Sequence, residues 1–327
     1  MAAAPHPFSP IGGLPPRLVT AVSGRVGDSG APGGGIDGDT WLARLPRLVE
    51  ELLAEWKLRP ERAPMGGSLA LALPVTTSEG EAAVLKVAWP TPATAHEHLA
   101  LRLWGDTHAV RLIRADPGRY AQLLERAGPA DLNSVEVEAA CQVIGELLAH
   151  LQAPARPPFM KLSEAAAHWA HDLGSATEMD AAFPQRFRLQ AAGLAHDLAT
   201  DLATTSDDAV LVHADLHYGN VLTSARPDAP GWLAIDPEPL LGEPEACFAP
   251  ALWNRVDPAD GGGALAWDLH NRIEIICDTA ALDSERARAW SLVRVVAGAL
   301  DELRHPTGAQ HRDLTLRVRL AKALQRP

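Results

Sequence analysis

The stretches VLVHADLHYGNVL (residues 210–222) and GWLAIDPEP (residues 231–239) decide the fold of this chain. Each contains a short apolar run, VLV and WLAI, and turn residues separate the two runs, which is typical of two β-strands. Asp215 follows the first run, Asn220 stands five positions later, and Asp236 follows the second run. The pattern therefore predicts two strands whose ends carry an acid, an amide and a second acid.

This order of an aspartate, an asparagine and a second aspartate matches the phosphoryl-transfer arrangement of protein kinases. It predicts Asp215 as the base that accepts the proton of an attacking hydroxyl, and Asn220 and Asp236 as ligands of Mg²⁺ on the nucleotide phosphates. Two alternatives remain: His213, Asp215 and His217 offer the ligands of a metallohydrolase site, or they are ordinary turn residues that cap a helix. The kinase interpretation is favoured by Asn220 and Asp236, because a metallohydrolase site gives these two residues no role.

Two motifs resemble a known family. HADLHYGN (residues 213–220) resembles the His-Gly-Asp-Leu-His-x-Gly-Asn motif of the aminoglycoside phosphotransferases, with Ala214 in place of the usual glycine. IDPEPLLGEP (residues 235–244) is more similar to the streptomycin 6-kinase and hydroxyurea kinase branch, in which lysine often stands where this chain has Glu238.

The resemblance implies an α+β, bilobal, protein-kinase-like fold with a small antiparallel-sheet N-lobe and a larger, mostly helical C-lobe. It also implies an ATP-dependent kinase that uses Mg²⁺ and phosphorylates a hydroxyl of an aminoglycoside-type antibiotic. Streptomycin, phosphorylated at its 6-hydroxyl, is the first expectation. The alternative is a kinase of another small hydroxylated molecule, such as hydroxyurea, a sugar or an amino alcohol.

The composition of the chain changes along its length. Residues 1–38 are rich in Pro, Gly and Ala, and we expect a partly disordered arm there. Residues 39–127 form the predicted N-lobe, beginning with a helix capped by Asp39 or Thr40. Residues 128–327 form the predicted C-lobe, in which six helices are expected from apolar spacing. These helices span Ser134–Leu151, Leu162–Leu173, Pro184–Ala203, Ala266–Ala281, Ser284–Leu303 and Arg312–Leu324.

The predicted N-lobe contains candidate nucleotide ligands. Gly66, Gly67 and Ser68 precede two predicted antiparallel strands, and glycines there let backbone N–H groups approach phosphate oxygens. Lys86 lies in the apolar run VLKV, which resembles the strand lysine that binds the α- and β-phosphates in kinases. Glu97, eleven residues later on a predicted helix, is the candidate ion-pair partner of Lys86. The alternatives are an ordinary glycine turn and a surface glutamate.

A further stretch, AQLLERAGP (residues 121–129), resembles the connector between the lobes of the family. The resemblance implies that backbone groups of Glu125 and Ala127 bind adenine. Gly128-Pro129 is also a plausible domain boundary by composition.

The charge of the chain restricts its partners. The net charge is −12 and no basic block is present, so a nucleic acid is not an expected partner. An acidic protein favours a cationic substrate. Six acids lie between residues 236 and 260, namely Asp236, Glu238, Glu243, Glu245, Asp257 and Asp260. Of these, Glu238, Glu243 and Asp257, together with His217, are the candidate substrate contacts; the alternative is a solvated acidic loop.

Cysteine usage and hydropathy indicate the compartment. Three widely spaced cysteines, Cys141, Cys247 and Cys277, fit neither a disulfide framework nor a zinc motif. No basic-then-apolar leader and no apolar run of about 18 residues occurs. We therefore expect a cytoplasmic protein that does not bind membranes, and the sequence makes no prediction of its oligomeric state.

Overall fold

The computed structural model describes residues 12–28, 30–31, 35–67, 69–105, 107–154, 158–204, 210–226, 231–257, 262–304 and 310–325. The chain divides into two compact units. The N-terminal unit comprises Met1–Asp106 and Val110–Ala127, and the C-terminal unit comprises Thr107–Ala109 and Gly128–Pro327.

An antiparallel sheet is the centre of the N-terminal unit. Its strands are β1 (Arg59–Pro60), β2 (Met65–Gly66), β3 (Ala70–Thr76), β4 (Ala82–Ala88), β5 (Leu112–Asp116) and β6 (Ala121–Glu125). The order is β1-β3-β4-β6-β5, with β2 also paired to β3. Leu85 and Val87 of β4 belong to the buried core, so the intervening Lys86 points to the opposite face, because side chains alternate along a strand.

The described residues of the N-terminal unit form four helices, namely α1 (Pro16–Val22), α2 (Gly38–Glu55), α3 (Pro92–Ala95) and α4 (Glu97–Trp104). Helices α1 and α2 cover the core face of the sheet. Trp41, Leu45, Val49 and Leu52 of α2 are buried in the same cluster as the strand residues. Their spacing of three or four residues places them on one side of the helix, as the sequence predicts.

The ends of two predicted helices differ from expectation. The N-cap of α2 is Asp37, whose carboxylate accepts from the amide of Thr40 at 2.8 Å, so the prediction of Asp39 or Thr40 as cap was wrong by a few residues. The predicted helix that carries Glu97 is preceded by a second short helix, and the two meet at His96, with α3 capped by Thr91. Boundaries depend on which side chain reaches a free backbone N–H group, and spacing alone does not determine this.

Part of the predicted arm contributes to the core. Leu18 and Val22 of α1 are fully buried and pack with the residues of α2 and the sheet. The sequence also predicts partial disorder in the arm of residues 1–38. Of this arm, residues 1–11, 29 and 32–34 lie outside the described residues.

Helices dominate the C-terminal unit. They are α5 (Val137–His150), α6 (Leu162–Ser175), α7 (Gln185–Thr204), α8 (Ala249–Trp253), α9 (Gly262–Ala280), α10 (Ser284–Arg304) and α11 (Gln310–Ala323). The pairs α6–α7, α5–α9 and α10–α11 pack against each other, and α10 also packs on α7. All six helices predicted here are present with small changes at their ends, and α8 was not predicted. No helix among the described residues has the length and apolar character needed to cross a bilayer.

The C-terminal unit also contains short strands. They are β7 (Ala153–Pro154), β8 (Met160–Lys161), β9 (Val210–Val212), β10 (Val221–Thr223), β11 (Trp232–Ala234) and β12 (Leu240–Gly242). Strands β10 and β11 form an antiparallel pair, and the other four pair in the order β7-β9-β12-β8. The predicted strands β9 and β11 are present, but they belong to different sheets. Strands β10 and β12 were not predicted, because runs of three residues carry little periodicity.

Candidate active site

A tight turn follows strand β9 and carries Asp215. Ala214 adopts a left-handed conformation with a φ of +54°. The amide of Asp215 donates to the carbonyl oxygen of His213 at 2.9 Å and closes the turn. A positive φ is most easily adopted by glycine, which explains why glycine is usual at this position of the motif and why Ala214 is tolerated only with strain.

Asn220 contacts Asp215 at two atoms. The Nδ2 of Asn220 donates to Asp215 Oδ2 at 3.1 Å and to the backbone carbonyl of Asp215 at 2.9 Å. Both bonds use the amide nitrogen of a buried side chain, so Oδ1 of Asn220 is turned away from Asp215. The predicted base and one predicted metal ligand are therefore neighbours.

Asp236 is tied to the same turn through the backbone. The amide of Ile235 donates to the carbonyl oxygen of Asn220 at 2.9 Å. Val221 of β10 lies opposite Ala234 of β11, which keeps the two chain segments in register. Asp236 has a φ of +57°, a second left-handed residue of the kind that concentrates at functional sites. One small backbone framework thus carries the two aspartates and Asn220.

His213 braces this framework from within. The side chain is buried, and its Nε2 lies 3.0 Å from the carbonyl oxygen of Ile235, which accepts the Nε2 proton. Burial lowers the pKa of His213 to about 4, so the ring is neutral near pH 7. Among the described residues, no group of three or more His, Cys, Asp or Glu side chains is arranged to hold a metal ion.

This buried histidine predicts a pH dependence of stability. Its folded pKa of about 4 lies below the unfolded value near 6.5, so the unfolded state binds the proton first as the pH falls. The contribution is complete above pH ~6.5 and is lost toward pH ~4, with a loss of about 2 kcal/mol by pH 5. Urea unfolding should show that the free energy of unfolding falls more between pH 7.5 and pH 5 in the wild type than in His213→Gln. Equal losses in both proteins would contradict a neutral buried ring.

Groups around Asp215 shift its pKa in opposite directions. Burial raises the pKa of Asp215 well above its usual range, and the nearby carboxylates of Glu238 and Asp236 act in the same direction. The guanidinium of Arg294 and the hydrogen bond from Asn220 lower that pKa. A cation beside Asp215 thus favours the ionised form, which is the form that accepts a proton.

His217 and Glu238 lie next to Asp215. The Nδ1 of His217 accepts from the amide of Gly219 at 3.0 Å, so the proton of the neutral ring is on Nε2. That Nε2 is 3.8 Å from Asp215 Oδ2. The amide of Glu238 donates to the carbonyl of His213 at 3.0 Å, which fixes this residue beside the same turn. Both predicted substrate contacts are thus brought to the predicted base.

Glu243 and Asp257 are placed differently. Glu243 accepts from Arg286 Nε at 2.7 Å and also from the indole nitrogen of Trp290, so its charge is already compensated within the fold. Asp257 is exposed, and its backbone carbonyl accepts from Arg319 at 3.4 Å. Asp260 lies outside the described residues.

The N-terminal unit contains the predicted ion pair. Lys86 Nζ lies 2.5 Å from Glu97 Oε1, and the two side chains are 8% and 1% exposed. Lys86 is in the middle of β4, opposite Ala72 of β3 and Gln122 of β6. Glu97 opens α4, where the partial positive charge of a helix N-terminus also stabilises a carboxylate. The pair is buried and therefore holds the Lys86 ammonium in a defined position.

The predicted glycine loop has a partly different setting. Gly66 belongs to β2, and a Cβ there would approach the Cβ of Pro15 to 2.6 Å, so packing against the start of α1 requires glycine. The amide of Gly67 donates to the carbonyl of Ala70 at 3.0 Å. Ser68 lies outside the described residues. Gly66 thus has a packing reason that is independent of any ligand.

The two residues predicted to bind adenine lie at the C-terminal end of the N-terminal unit. Glu125 is the last residue of β6, and its side chain accepts from the amide of Arg111 at 2.7 Å. Its own amide donates to the Arg111 carbonyl at 3.0 Å. Ala127 is the last residue of the unit.

Comparison with known proteins decides the family. Residues 55–304 match the aminoglycoside/hydroxyurea antibiotic resistance kinase family. The chain belongs to this family. Streptomycin 6-kinase from Streptomyces griseus is 34% identical over 281 residues, covering 84% of this chain and 88% of that protein. Hydroxyurea phosphotransferase from Kitasatospora aureofaciens is 37% identical over 277 residues, covering 83% and 76%.

A solved structure shows the same fold. The GDP and kanamycin complex of APH(2")-IIia has a TM-score of 0.57 at 12% identity and covers 86% of this chain and 99% of that chain. The predictions of an α+β, protein-kinase-like fold and of a kinase of this family are confirmed.

One residue of this kinase's site carries no signal in the sequence. Arg294 of α10 donates to the carbonyl of Ala214 at 3.2 Å, and its guanidinium lies 5.4 Å from the ring centroid of Trp169 on α6. Eighty residues separate Arg294 from Ala214. An arginine on an amphipathic helix is usually solvated, so only the packing of α10 identifies it.

Proposed function

We propose that this chain transfers the γ-phosphoryl group of ATP to a hydroxyl of an aminoglycoside-type antibiotic, with streptomycin, phosphorylated at its 6-hydroxyl, as the favoured acceptor. One observation carries the proposal: Asn220 Nδ2 binds Asp215 Oδ2 at 3.1 Å, on the framework that also holds Asp236. Family membership supports the same reaction class.

Asp215 is assigned as the base. Its carboxylate orients the acceptor hydroxyl and takes its proton. Asn220 holds the carboxylate in place, and both Asn220 and Arg294 lower the pKa of Asp215 against the upward effect of burial. Phosphoryl transfer needs little covalent work from the protein, so this positioning carries most of the rate.

Asn220 and Asp236 are assigned to Mg²⁺. An amide oxygen and a carboxylate are the hard oxygen donors that this ion prefers, and Oδ1 of Asn220 is turned away from Asp215. When bound, the ion neutralises charge on the β- and γ-phosphates. His213 supports both ligands by bracing Ile235.

The N-terminal unit is assigned to the nucleotide. Lys86, held by Glu97, binds the α- and β-phosphates. Backbone groups of Glu125 and Ala127 bind adenine, and backbone groups of the Gly66–Ser68 segment approach the phosphates.

Glu238 and His217 are assigned to the acceptor. Glu238 is held beside Asp215, and its carboxylate is suited to the guanidinium groups of streptomycin. The net charge of −12 also attracts a polycation. Glu243 is left out of this assignment because Arg286 already neutralises it.

Replacing Glu238 tests this assignment. Glu238→Gln removes the negative charge without changing the backbone bond, and the KM for streptomycin should rise about tenfold, roughly 1.4 kcal/mol. The KM for hydroxyurea, which is neutral, should change little. Initial-rate kinetics with both acceptors measure this, and Glu164→Gln on the exposed face of α6 is the control. A uniform rise for both acceptors would rule out a charge contact.

Hydroxyurea is the second candidate acceptor. The observation that favours it is the 37% identity to a hydroxyurea phosphotransferase. A small neutral acceptor does not need the Glu238 charge. A panel of streptomycin, hydroxyurea, sugars and amino alcohols with Mg²⁺ and ATP, followed by ADP release, chooses between these acceptors. ATP binding without turnover on any member would reject the kinase proposal.

A further inference from the structure

Arg255 has a strained backbone. Its φ is +58°, in the left-handed region that a residue with a long side chain seldom adopts. Buried Arg272 of α9 holds this conformation by donating to the carbonyls of Asn254 at 3.0 Å and Arg255 at 3.1 Å. Arg272 is itself paired with Asp268 at 2.7 Å. The buried guanidinium of Arg272 therefore maintains the strained backbone of Arg255. Strained backbone that is held by its surroundings is common at functional sites.

The Arg255 side chain connects two distant segments. Its Nη1 donates to the carbonyl of Leu132 at 3.1 Å and to that of Val135 at 2.7 Å. These carbonyls flank the short turn that precedes α5. The same segment also contacts β10, because the amide of Thr223 donates to the carbonyl of Ala130 at 2.9 Å.

The guanidinium of Arg255 lies over Tyr218. Its central carbon is 5.1 Å from the ring centroid, within the range of a cation–π contact. Tyr218 is fully buried, and its hydroxyl is 3.5 Å from Sγ of Cys141 on α5. Tyr218 belongs to the turn that runs from Asp215 to Asn220, so Arg255 contacts the segment that carries both of these side chains.

We propose that Arg255 is a positioning residue that fixes the Asp215–Asn220 turn by clamping Tyr218 against α5. Arg255 touches neither the nucleotide nor the acceptor in this assignment, and it acts through Tyr218. The kinetic part of the inference rests on the proposed function, whereas the clamp itself is a property of the fold.

The chemistry of arginine suits this role. One Nη atom binds two carbonyls while the planar group stacks on an aromatic face, and lysine provides only a compact ammonium. Arg255→Met removes the donors and the charge, whereas Arg255→Lys keeps the charge and an N–H donor but loses the planar guanidinium. The lysine variant should therefore retain part of the function that the methionine variant loses.

Cys141 reports on the clamp without any catalysis. Its thiol is buried against the Tyr218 hydroxyl, and burial raises the pKa of Cys141, so the wild-type thiol reacts slowly with thiol reagents. In Arg255→Met the turn is released, and the labelling rate of Cys141 under native conditions should rise about tenfold or more. Peptide mapping distinguishes Cys141 from Cys247 and Cys277, which are also buried.

Arg188 supplies the matched control. It is a buried arginine of the same unit that pairs with Asp180 and donates to the carbonyls of Leu173 and Gly174. Arg188→Met should lower thermal stability, but Cys141 labelling and kcat should stay within about twofold of the wild type.

Kinetics test the positioning role. For Arg255→Met, kcat should fall about tenfold to hundredfold, because small displacements of reacting groups are costly, while the KM for ATP changes less than about threefold. Arg255→Lys should lie between this variant and the wild type.

The outcomes are separable. Faster Cys141 labelling with a lower kcat supports the inference, and unchanged kcat or unchanged labelling in Arg255→Met overturns it. If Arg255→Met does not fold, the same two measurements on Arg255→Lys against Arg188→Lys decide. A wild-type protein without kinase activity would reject the proposed function, and Cys141 labelling would still test the clamp.

Discussion

Asp215→Asn lowers kcat by about a hundredfold to ten-thousandfold, the range typical for loss of a general base. The amide has nearly the same shape as the carboxylate but cannot take the proton of the acceptor hydroxyl. Asn220 Nδ2 still finds an oxygen at position 215, so the turn and the KM for ATP should be preserved. Steady-state kinetics with Mg²⁺, ATP and streptomycin measure both constants.

Asp197→Asn is the matched control for this variant. Asp197 is an exposed aspartate on α7 of the same unit, and its replacement removes the same charge from a residue to which no role in the site is assigned. Its kcat should stay close to the wild-type value. Full activity of the Asp215→Asn protein with any acceptor would rule out Asp215 as the base.

Breaking the Lys86–Glu97 pair has the second largest effect. Lys86→Met leaves the Glu97 carboxylate buried without its cation, and removal of one partner of such a pair costs about 3–5 kcal/mol of stability. The same change removes the positive charge assigned to the phosphates, so kcat/KM for ATP should fall about a hundredfold or more. Urea unfolding and initial rates at varied ATP give the two numbers.

A double variant separates these two consequences. In Lys86→Met/Glu97→Leu neither charge of this pair remains, so most of the lost stability should return while activity stays low. Recovery of activity together with stability would mean that the pair serves the fold alone. Arg47→Met, which breaks an exposed ion pair with Glu51, should change neither quantity appreciably.

Features built from residues close in sequence were predictable. The turn between β9 and β10 places Asp215 and Asn220 together over five residues, and local strand and turn signals suffice to find it. The Lys86–Glu97 pair was also predictable, because a lysine inside an apolar strand needs a partner and the next helix offers one acid at its start.

Features that depend on long-range packing were not predictable. Glu243 was expected to face the substrate, but Arg286, 43 residues later, neutralises it. Arg294 and Arg255 contact Ala214 and Tyr218 from elements far away in sequence. The packing of Gly66 against Pro15 was likewise not predicted, and it is independent of the phosphate contact predicted for this glycine. A single sequence carries no signal for such contacts, because each depends on how separate elements meet.

The proposed reaction can be followed by the transfer of a labelled γ-phosphoryl group from ATP to streptomycin. With the wild-type protein and Mg²⁺, the label should appear on the streptomycin 6-hydroxyl, and Asp215→Asn should form this product at least about a hundredfold more slowly. Label that stays in ATP, or that appears only as inorganic phosphate with every acceptor of the panel, would contradict the account.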